Sequence, residues 1–232
     1  MTLSAPARRR GHEILDDAGV DAETRIKSIG DVTRSNVLFG GRRAALIAID
    51  DLLTPGASFT LLDVGTGLGD IPAAIAARAR SRGARVRTVG LDEAQDLLAA
   101  ARSRIDATTC ASANSLPFRD RSIDIVICSQ LLHHFADQDL ERLVRELDRV
   151  ARTRVIIADL RRSRLAAAGF WLASFPLGFH PVTRHDGVVS VFRGFVASEL
   201  REIIRSATGV MPTVRHHLGF RLTATWTPGS AL

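Results

Sequence analysis

Apolar positions in this chain fall into short runs separated by longer amphipathic stretches. Phe59 to Val64 is such a run and reads as a buried strand; Ala73 to Arg82, rich in alanine and arginine, reads as the helix that follows it. Val86 to Leu91 repeats the strand pattern and Glu93 to Ile105 the helical one. A third strand closes near Cys110. Ser122 to Ser129 is the fourth, followed by a helix from about Asp137 to Arg152, and Arg154 to Ala158 is the fifth. This alternation implies a parallel sheet with helices on both faces. Thr213 to His217 and Phe220 to Thr227 are β-rich runs split by Gly219 and read as a terminal hairpin. The expected architecture is therefore α/β, a doubly wound and mostly parallel sheet of seven strands with a C-terminal antiparallel hairpin.

Two stretches lie outside that alternation. Residues 12 to 53 carry two or three helical patterns, with Asn36 and Gly40-Gly41 marking a turn between or within them. With a frayed tail over Met1 to Arg10, residues 1–53 read as a tail and helical cap, and 54–232 as the core of one domain. Residues 161–196, after the fifth strand, read as a lid.

The densest chemistry lies where the first strand ends, in Asp63-Val64-Gly65-Thr66-Gly67-Leu68-Gly69. Glycines at a strand-to-helix turn let backbone approach a ligand closely. Their spacing is G-x-G-x-G, whereas the dinucleotide fingerprint is G-x-G-x-x-G. The pattern resembles motif I of the class I S-adenosylmethionine (SAM)-dependent methyltransferases, whose fold is Rossmann-like. The resemblance implies SAM as cofactor and S-adenosylhomocysteine as product, held by Asp63, Gly65, Thr66, Gly67 and Gly69. It also places a ribose-binding acid at the end of the second strand. That acid is Asp92, with Glu93 as the second candidate; a helix N-cap is the other reading of Asp92. The segment Ser112-Ala113-Asn114-Ser115-Leu116-Pro117-Phe118 is similar to the family's adenine-cupping loop, except that Ser112 stands where an acid is usual. Ser112, Ala113 and Asn114 are thus cofactor candidates, with Ser129 at the end of the fourth strand. The segments at Asn36–Gly41, Asp159–Arg164 and Arg184–Gly187 look like a bacterial subgroup often encoded beside type III polyketide synthases. That likeness implies an O-methyltransferase of secondary metabolism acting on a phenolic or pyrone-like hydroxyl. Carbon or nitrogen methylation, SAM binding without methyl transfer, a nicotinamide-dependent oxidoreductase and a nucleic-acid enzyme are the competing readings.

Composition narrows these. The chain has 232 residues, 46% of them hydrophobic, enough for a real core. No apolar run reaches the ~18 residues of a membrane span, and Arg8-Arg9-Arg10 lacks the apolar segment of a secretory signal. Two cysteines, Cys110 and Cys128, read as buried free thiols, and the compartment as the cytoplasm. Net charge is +6, but Lys27 is the only lysine among 31 basic residues, and the arginines are interspersed with 25 acids. That mixture is not the basic stripe of a nucleic-acid protein, so neither nucleic acid nor a membrane is expected as partner, and the chain reads as a monomer or homodimer.

The lid carries Phe170, Trp171, Phe175, Phe179, Phe192 and Phe195, six of the twelve aromatic residues. Such residues suit a flat aromatic or lipophilic acceptor, or simply pack the lid onto the core. Trp171 and Phe175, with Asp159, Arg162 and Arg184, are the substrate-binding candidates; a helix N-cap (Asp159) and surface ion pairs (Arg162, Arg184) are the alternatives. An O-methyltransferase gains from a base, and the candidates in order are His185, beside Asp186, then His133, then His134. No cysteine-histidine spacing or carboxylate cluster of a metal site is evident, and none is expected.

Overall fold

The computed structural model describes residues 5–17 and 19–229. The order of elements explains where a site can form. A 3-10 turn at Ile14–Asp16 precedes α1 (Ala22–Leu38) and α2 (Gly41–Ile49). The sheet and its crossovers follow: β1 (Ser58–Val64), α3 (Asp70–Ser81), β2 (Arg85–Asp92), α4 (Gln95–Ala101), β3 (Ala107–Cys110), β4 (Ile123–Ser129), α5 (Asp137–Val150) and β5 (Ala151–Leu160). Then come α6 (Arg164–Ser174), α7 (Pro181–Arg193), α8 (Ala197–Thr208), β6 (Thr213–His217) and β7 (Arg221–Trp226). The strands form one sheet in the order β3-β2-β1-β4-β5-β7-β6. Strands β1 to β5 pair in parallel, and β7 runs antiparallel to both β5 and β6. The expected seven-stranded architecture is the one found.

Side-chain alternation along the strands sorts two cores. Leu62, Val64, Val126, Cys128, Val155 and Ile157 face α5 and α8, meeting Leu143, Leu147, Leu200 and Ile204. Leu61, Ile125, Ile127, Ile156 and Ala158 face the other way, onto Ile49 of α2 and Ile71, Ile75 and Ala79 of α3. Central strands apolar at successive positions are what burial on both faces demands. The strand order reverses direction at β1 and β4, and ligands of open α/β sheets lie outside the carboxyl ends of strands at such a switch. No helix of the described residues is long and apolar enough to cross a membrane.

Several expectations need correction in detail. Helix α4 is shorter than 93–105, because Asp92 stays in β2 and accepts the amide of Ala94 at 3.0 Å. Cys128 is buried as expected, but Cys110 is exposed at the end of β3. The part of the tail that is described is docked rather than frayed. The Pro6 carbonyl accepts from Arg162 Nε (2.6 Å), the Arg9 amide donates to Phe192 O (3.2 Å), and the Arg8 guanidinium lies 4.3 Å over the Phe195 ring. Residues 1–4 lie outside the described residues.

Gly40 and Gly219 explain how the helical cap meets the terminal hairpin. Gly40 caps α2 at φ +80°. Gly219, in the β6–β7 turn at φ +74°, approaches α1 so closely that a Cβ there would lie 1.9 Å from the Phe39 carbonyl oxygen. Gly219→Ala is expected to destabilise the protein by about 1–3 kcal/mol through overpacking. Gly169→Ala, within α6 and with no atom within 4 Å of the added Cβ, is expected to stabilise it by about 0.5–1 kcal/mol. Denaturant unfolding of the two variants should give shifts of opposite sign.

Candidate active site

A cavity of about 1070 Å³ opens above the carboxyl ends of β1, β2, β4 and β5. Its far wall is the cover made by the N-terminal segment, α1, α6 and α7. One half is built by the glycine loop. Gly65, Gly67 and Gly69 all take the left-handed conformation, at φ +75°, +52° and +73°. The Gly67 amide donates to Asp92 Oδ2 at 2.9 Å, tying the loop to the end of β2. Asp63, Gly65, Thr66, Gly67, Asp92, Glu93, Ala113, Asn114 and Ser129 all line the cavity. Gly69 and Ser112 do not: Gly69 is packed beneath, against Ala101 and Ile105.

Polar atoms in this half lack partners. Asp63 Oδ1, Thr66 Oγ1, Asp70 Oδ2, Asn114 Oδ1 and Ser129 Oγ are buried with no hydrogen bond. Burial pushes the Asp63 carboxyl up to about 8, with the charges of Asp70 and Asp92 adding to it. Burial likewise raises Asp70 and Asp92 above the usual carboxylate range. Three desolvated acids thus surround one loop, and a cation placed among them would favour their charged forms. Asp70 was not foreseen, although an acid directly after Gly69 was visible in the chain.

The other half is organised by two adjacent histidines on the 3-10 turn after β4 (Leu132–His134). His133 is 4% exposed and lines the cavity. Its Nδ1 lies 2.6 Å from Asp159 Oδ1, and its amide donates to Asp159 Oδ2 at 3.2 Å. Asp159 ends β5, is 1% exposed, and also accepts the Leu160 amide at 2.7 Å. Burial opposes the Asp159 charge, but His133 and the Leu160 amide outweigh it and hold the carboxyl below its usual range. With Nδ1 directed at Asp159, Nε2 is the acceptor nitrogen of the ring in its neutral form. That Nε2 is buried without a partner.

His134 stacks on His133 with ring centroids 4.4 Å apart. Its Nδ1 meets Asp16 at 3.1 Å and Glu13 at 3.7 Å. Burial works against its charge, but Asp16 and Glu13 prevail and raise it. Arg193 completes the network, pairing with Glu13 at 3.1 Å and Asp16 at 2.9 Å. Glu13, His133 and His134 bring metal-ligand atoms within 4.8 Å of one another, yet the Arg193 guanidinium already supplies a cation to Glu13. The N-terminal segment is held on the other side by Asp186, whose two oxygens accept the amides of Ile14 and Leu15 at 2.9 Å each.

The remaining candidates stand elsewhere. His185 does not line the cavity. Successive residues on a helix point about 100° apart, so α7 turns Asp186 inward and leaves the His185 side chain 51% exposed. Arg162 is buried on structural partners, the Pro6 and Gly194 carbonyls and Glu199. Trp171 and Phe175 pack edge to face on each other on the outer side of α6, each about half exposed. Arg184 lies 4.0 Å over the Phe175 ring. The lid aromatic that lines the cavity is Phe170, one residue before Trp171, with Phe39 at the end of α1 beside it at 5.9 Å; Phe135 and Phe220 line the cavity as well. Asp159 acts through His133 and does not line the cavity. The Glu13–Asp16–Arg193 network had no signal in the sequence, since Arg193 lies far along the chain from the two acids.

Comparison with known proteins agrees with this geometry. Residues 62–158 match the family described as methyltransferase domain. No curated protein matches the chain. Among solved structures, a SAM-dependent methyltransferase from Aquifex aeolicus is 16% identical, with a TM-score of 0.61 over 90% of this chain and 99% of that one. Human N-acetylserotonin methyltransferase in complex with SAM is 12% identical, TM-score 0.64, over 90% of this chain and 57% of that one. Magnesium protoporphyrin IX methyltransferase from Synechocystis with bound S-adenosylhomocysteine is 15% identical, TM-score 0.53, over 92% and 90%. These structures establish the Rossmann-like methyltransferase fold. Residues 62–158, less than half of the chain, thus resemble a methyltransferase domain, and the fold is the one these SAM-dependent methyltransferases share.

The Asp63 carboxyl has a testable thermodynamic signature. Its folded pKa, about 8, lies above its ordinary value of 3.8, so the folded state binds the extra proton. Its contribution to the stability of the ligand-free protein is full below pH 3.8 and is lost as pH rises to 8. Asp63→Asn removes this dependence. The variant's melting temperature should rise relative to the parent as pH goes from 5 to 8; a constant difference would show that Asp63 is not protonated there.

Proposed function

We propose that this chain is a methyltransferase acting on a small acceptor at oxygen, the hydroxyl of a phenolic or pyrone-like ring of polyketide kind. The observation that carries the reading is His133 in the cavity lining, its Nδ1 on buried Asp159 and its Nε2 left without a partner.

The glycine-loop half fits SAM. Its partnerless carboxylates suit a cationic ligand, and the bare backbone at Gly65 and Gly67 leaves room for one. Asp63, Gly65, Thr66, Gly67 and Ser129 are the groups that would hold the amino-acid part, Asp92 and Glu93 the ribose, and Ala113 and Asn114 the adenine. Gly69 and Ser112 support them from behind. When bound, SAM supplies a methyl group already activated on a sulfonium sulfur.

The protein's own task is then to orient the acceptor and remove its proton. A phenol of pKa about 10 is only about 0.1% ionised at pH 7, so reaching the phenolate costs roughly 4 kcal/mol. His133 Nε2 accepts that proton, and Asp159 stabilises the resulting imidazolium, the role of the acid in catalytic triads. His134 beside it, its pKa raised by Asp16 and Glu13 against burial, would favour negative charge on the acceptor oxygen whenever it is protonated. Phe39 and Phe170 supply flat apolar walls.

The electrostatics favour a hydroxyl over an amine. Acids do line this half, and among the described residues each has a partner: Glu13 and Asp16 have Arg193, Asp186 the amides of Ile14 and Leu15, and Asp17 the His12 ring at 3.1 Å. A cationic amine would have to compete with those partners.

Transfer of labelled methyl from SAM to phenols and hydroxypyrones tests the reading; label entering only amine or carbon acceptors overturns it. His133→Ala is expected to lower kcat by about 10²–10⁴ on a phenol. It should cost less on a more acidic hydroxypyrone, and should leave S-adenosylhomocysteine binding unchanged by calorimetry. Asp63→Asn should do the reverse, weakening S-adenosylhomocysteine by about tenfold or more through loss of a group that can ionise beside the ligand's ammonium.

A further inference from the structure

Arg221, the first residue of β7, is 4% exposed and lines the cavity. A guanidinium carries five N–H donors. Here Nε donates to the Phe39 carbonyl at 3.3 Å and one Nη to Gln130 Oε1 at 3.5 Å, both near the long limit for a hydrogen bond. No carboxylate among the described residues forms an ion pair with it; Asp159 acts on it only through space. Burial draws its pKa down to about 10, which leaves it charged at neutral pH. A charge buried without a partner is strongly unfavourable unless a ligand completes it.

Its surroundings are built to keep it in place. Gln130 sits in the left-handed region at φ +53°, a conformation that few side-chain-bearing residues adopt. From there its side chain reaches Arg221 on one side and, through Nε2, the carbonyl oxygen of the Asn36 side chain on the other. Asn36 is 5% exposed and also lines the cavity.

We propose that Arg221, held by Gln130 and Phe39, is a carboxylate-binding residue of the cavity, its unused N–H groups receiving both oxygens of one carboxylate. Guanidinium and carboxylate match in this paired geometry. The inference rests on the cavity being the chamber for SAM and acceptor. Two sources share the chemistry: the amino-acid end of the cofactor, or a carboxyl group on the acceptor.

Calorimetry on the full chain separates them. S-adenosylhomocysteine is compared with 5′-methylthioadenosine, which lacks the amino-acid carboxylate. In the presence of S-adenosylhomocysteine, 3,4-dihydroxybenzoate is compared with its amide. If the cofactor is the source, Arg221→Met weakens S-adenosylhomocysteine by about tenfold or more and leaves 5′-methylthioadenosine unchanged. If the acceptor is the source, the benzoate loses its advantage over the amide instead. Both preferences surviving in the variant overturn the proposal. A parent protein that binds neither nucleoside overturns the chamber reading itself, a distinct result. Arg221→Met removes an uncompensated charge, so without ligand it should melt at or above the parent temperature; a purely structural arginine would lower it. Arg221→Lys, which keeps the charge without the paired donors, serves the same comparison should the Met variant not fold.

Discussion

Asp63 is buried at the end of β1, near Asp70 and Asp92, and no basic side chain among the described residues pairs with it. This arrangement follows from the topology. Parallel strands deliver their last residues to one edge, and the chain must leave β1 there by a turn tight enough to start α3 at Asp70. Three left-handed glycines make that turn, so the loop has no side chains with which to neutralise the acids. The Gly67 amide reaches Asp92, but Asp63 Oδ1 receives nothing. Stability is given up at this edge, and a cationic ligand is what would restore it.

The opposite half of the cavity solves its electrostatics internally. Its acids are matched by Arg193, by His134 and by backbone amides. What is left over there is one partnerless nitrogen on His133 and, toward β7, one guanidinium. The cavity is thus divided, with unmet negative charge at one end and an unmet base at the other. Such a division suits a donor that carries positive charge and an acceptor that must give up a proton.

How much of this was legible in the chain follows from how local each feature is. The strand at Phe59–Val64, the glycine loop and Asp92 are encoded within some thirty consecutive residues, and periodicity with glycine spacing exposed them. The acceptor half is assembled from Glu13, His133, Asp159 and α7, which only tertiary packing brings together. At His185 the adjacent acid does meet the ring, Nδ1 lying 2.8 Å from Asp186 Oδ1, but the pair stands on α7 with the imidazole half exposed and outside the cavity lining, and Asp186 also accepts the amides of Ile14 and Leu15. The histidine–acid pair whose ring lines the cavity joins residues 26 apart, at the ends of two neighbouring parallel strands. The aromatic count of the lid was informative, but which ring faces inward was not: α6 turns Phe170 to the cavity and its neighbour Trp171 to solvent.

Arginine shows the limit most clearly. In a chain whose basic residues are arginine with a single exception, residue type alone carries little information. Arg162 and Arg221 are equally buried, and only their partners tell them apart. Arg162 is met by Glu199 and two carbonyls, so its charge is already satisfied within the fold. Arg221 has no acid, and it stands on the sheet edge where β7 meets the end of β5 beside the cavity. Burial by itself therefore does not mark a functional charge; burial without a counter-charge, beside an open volume, does.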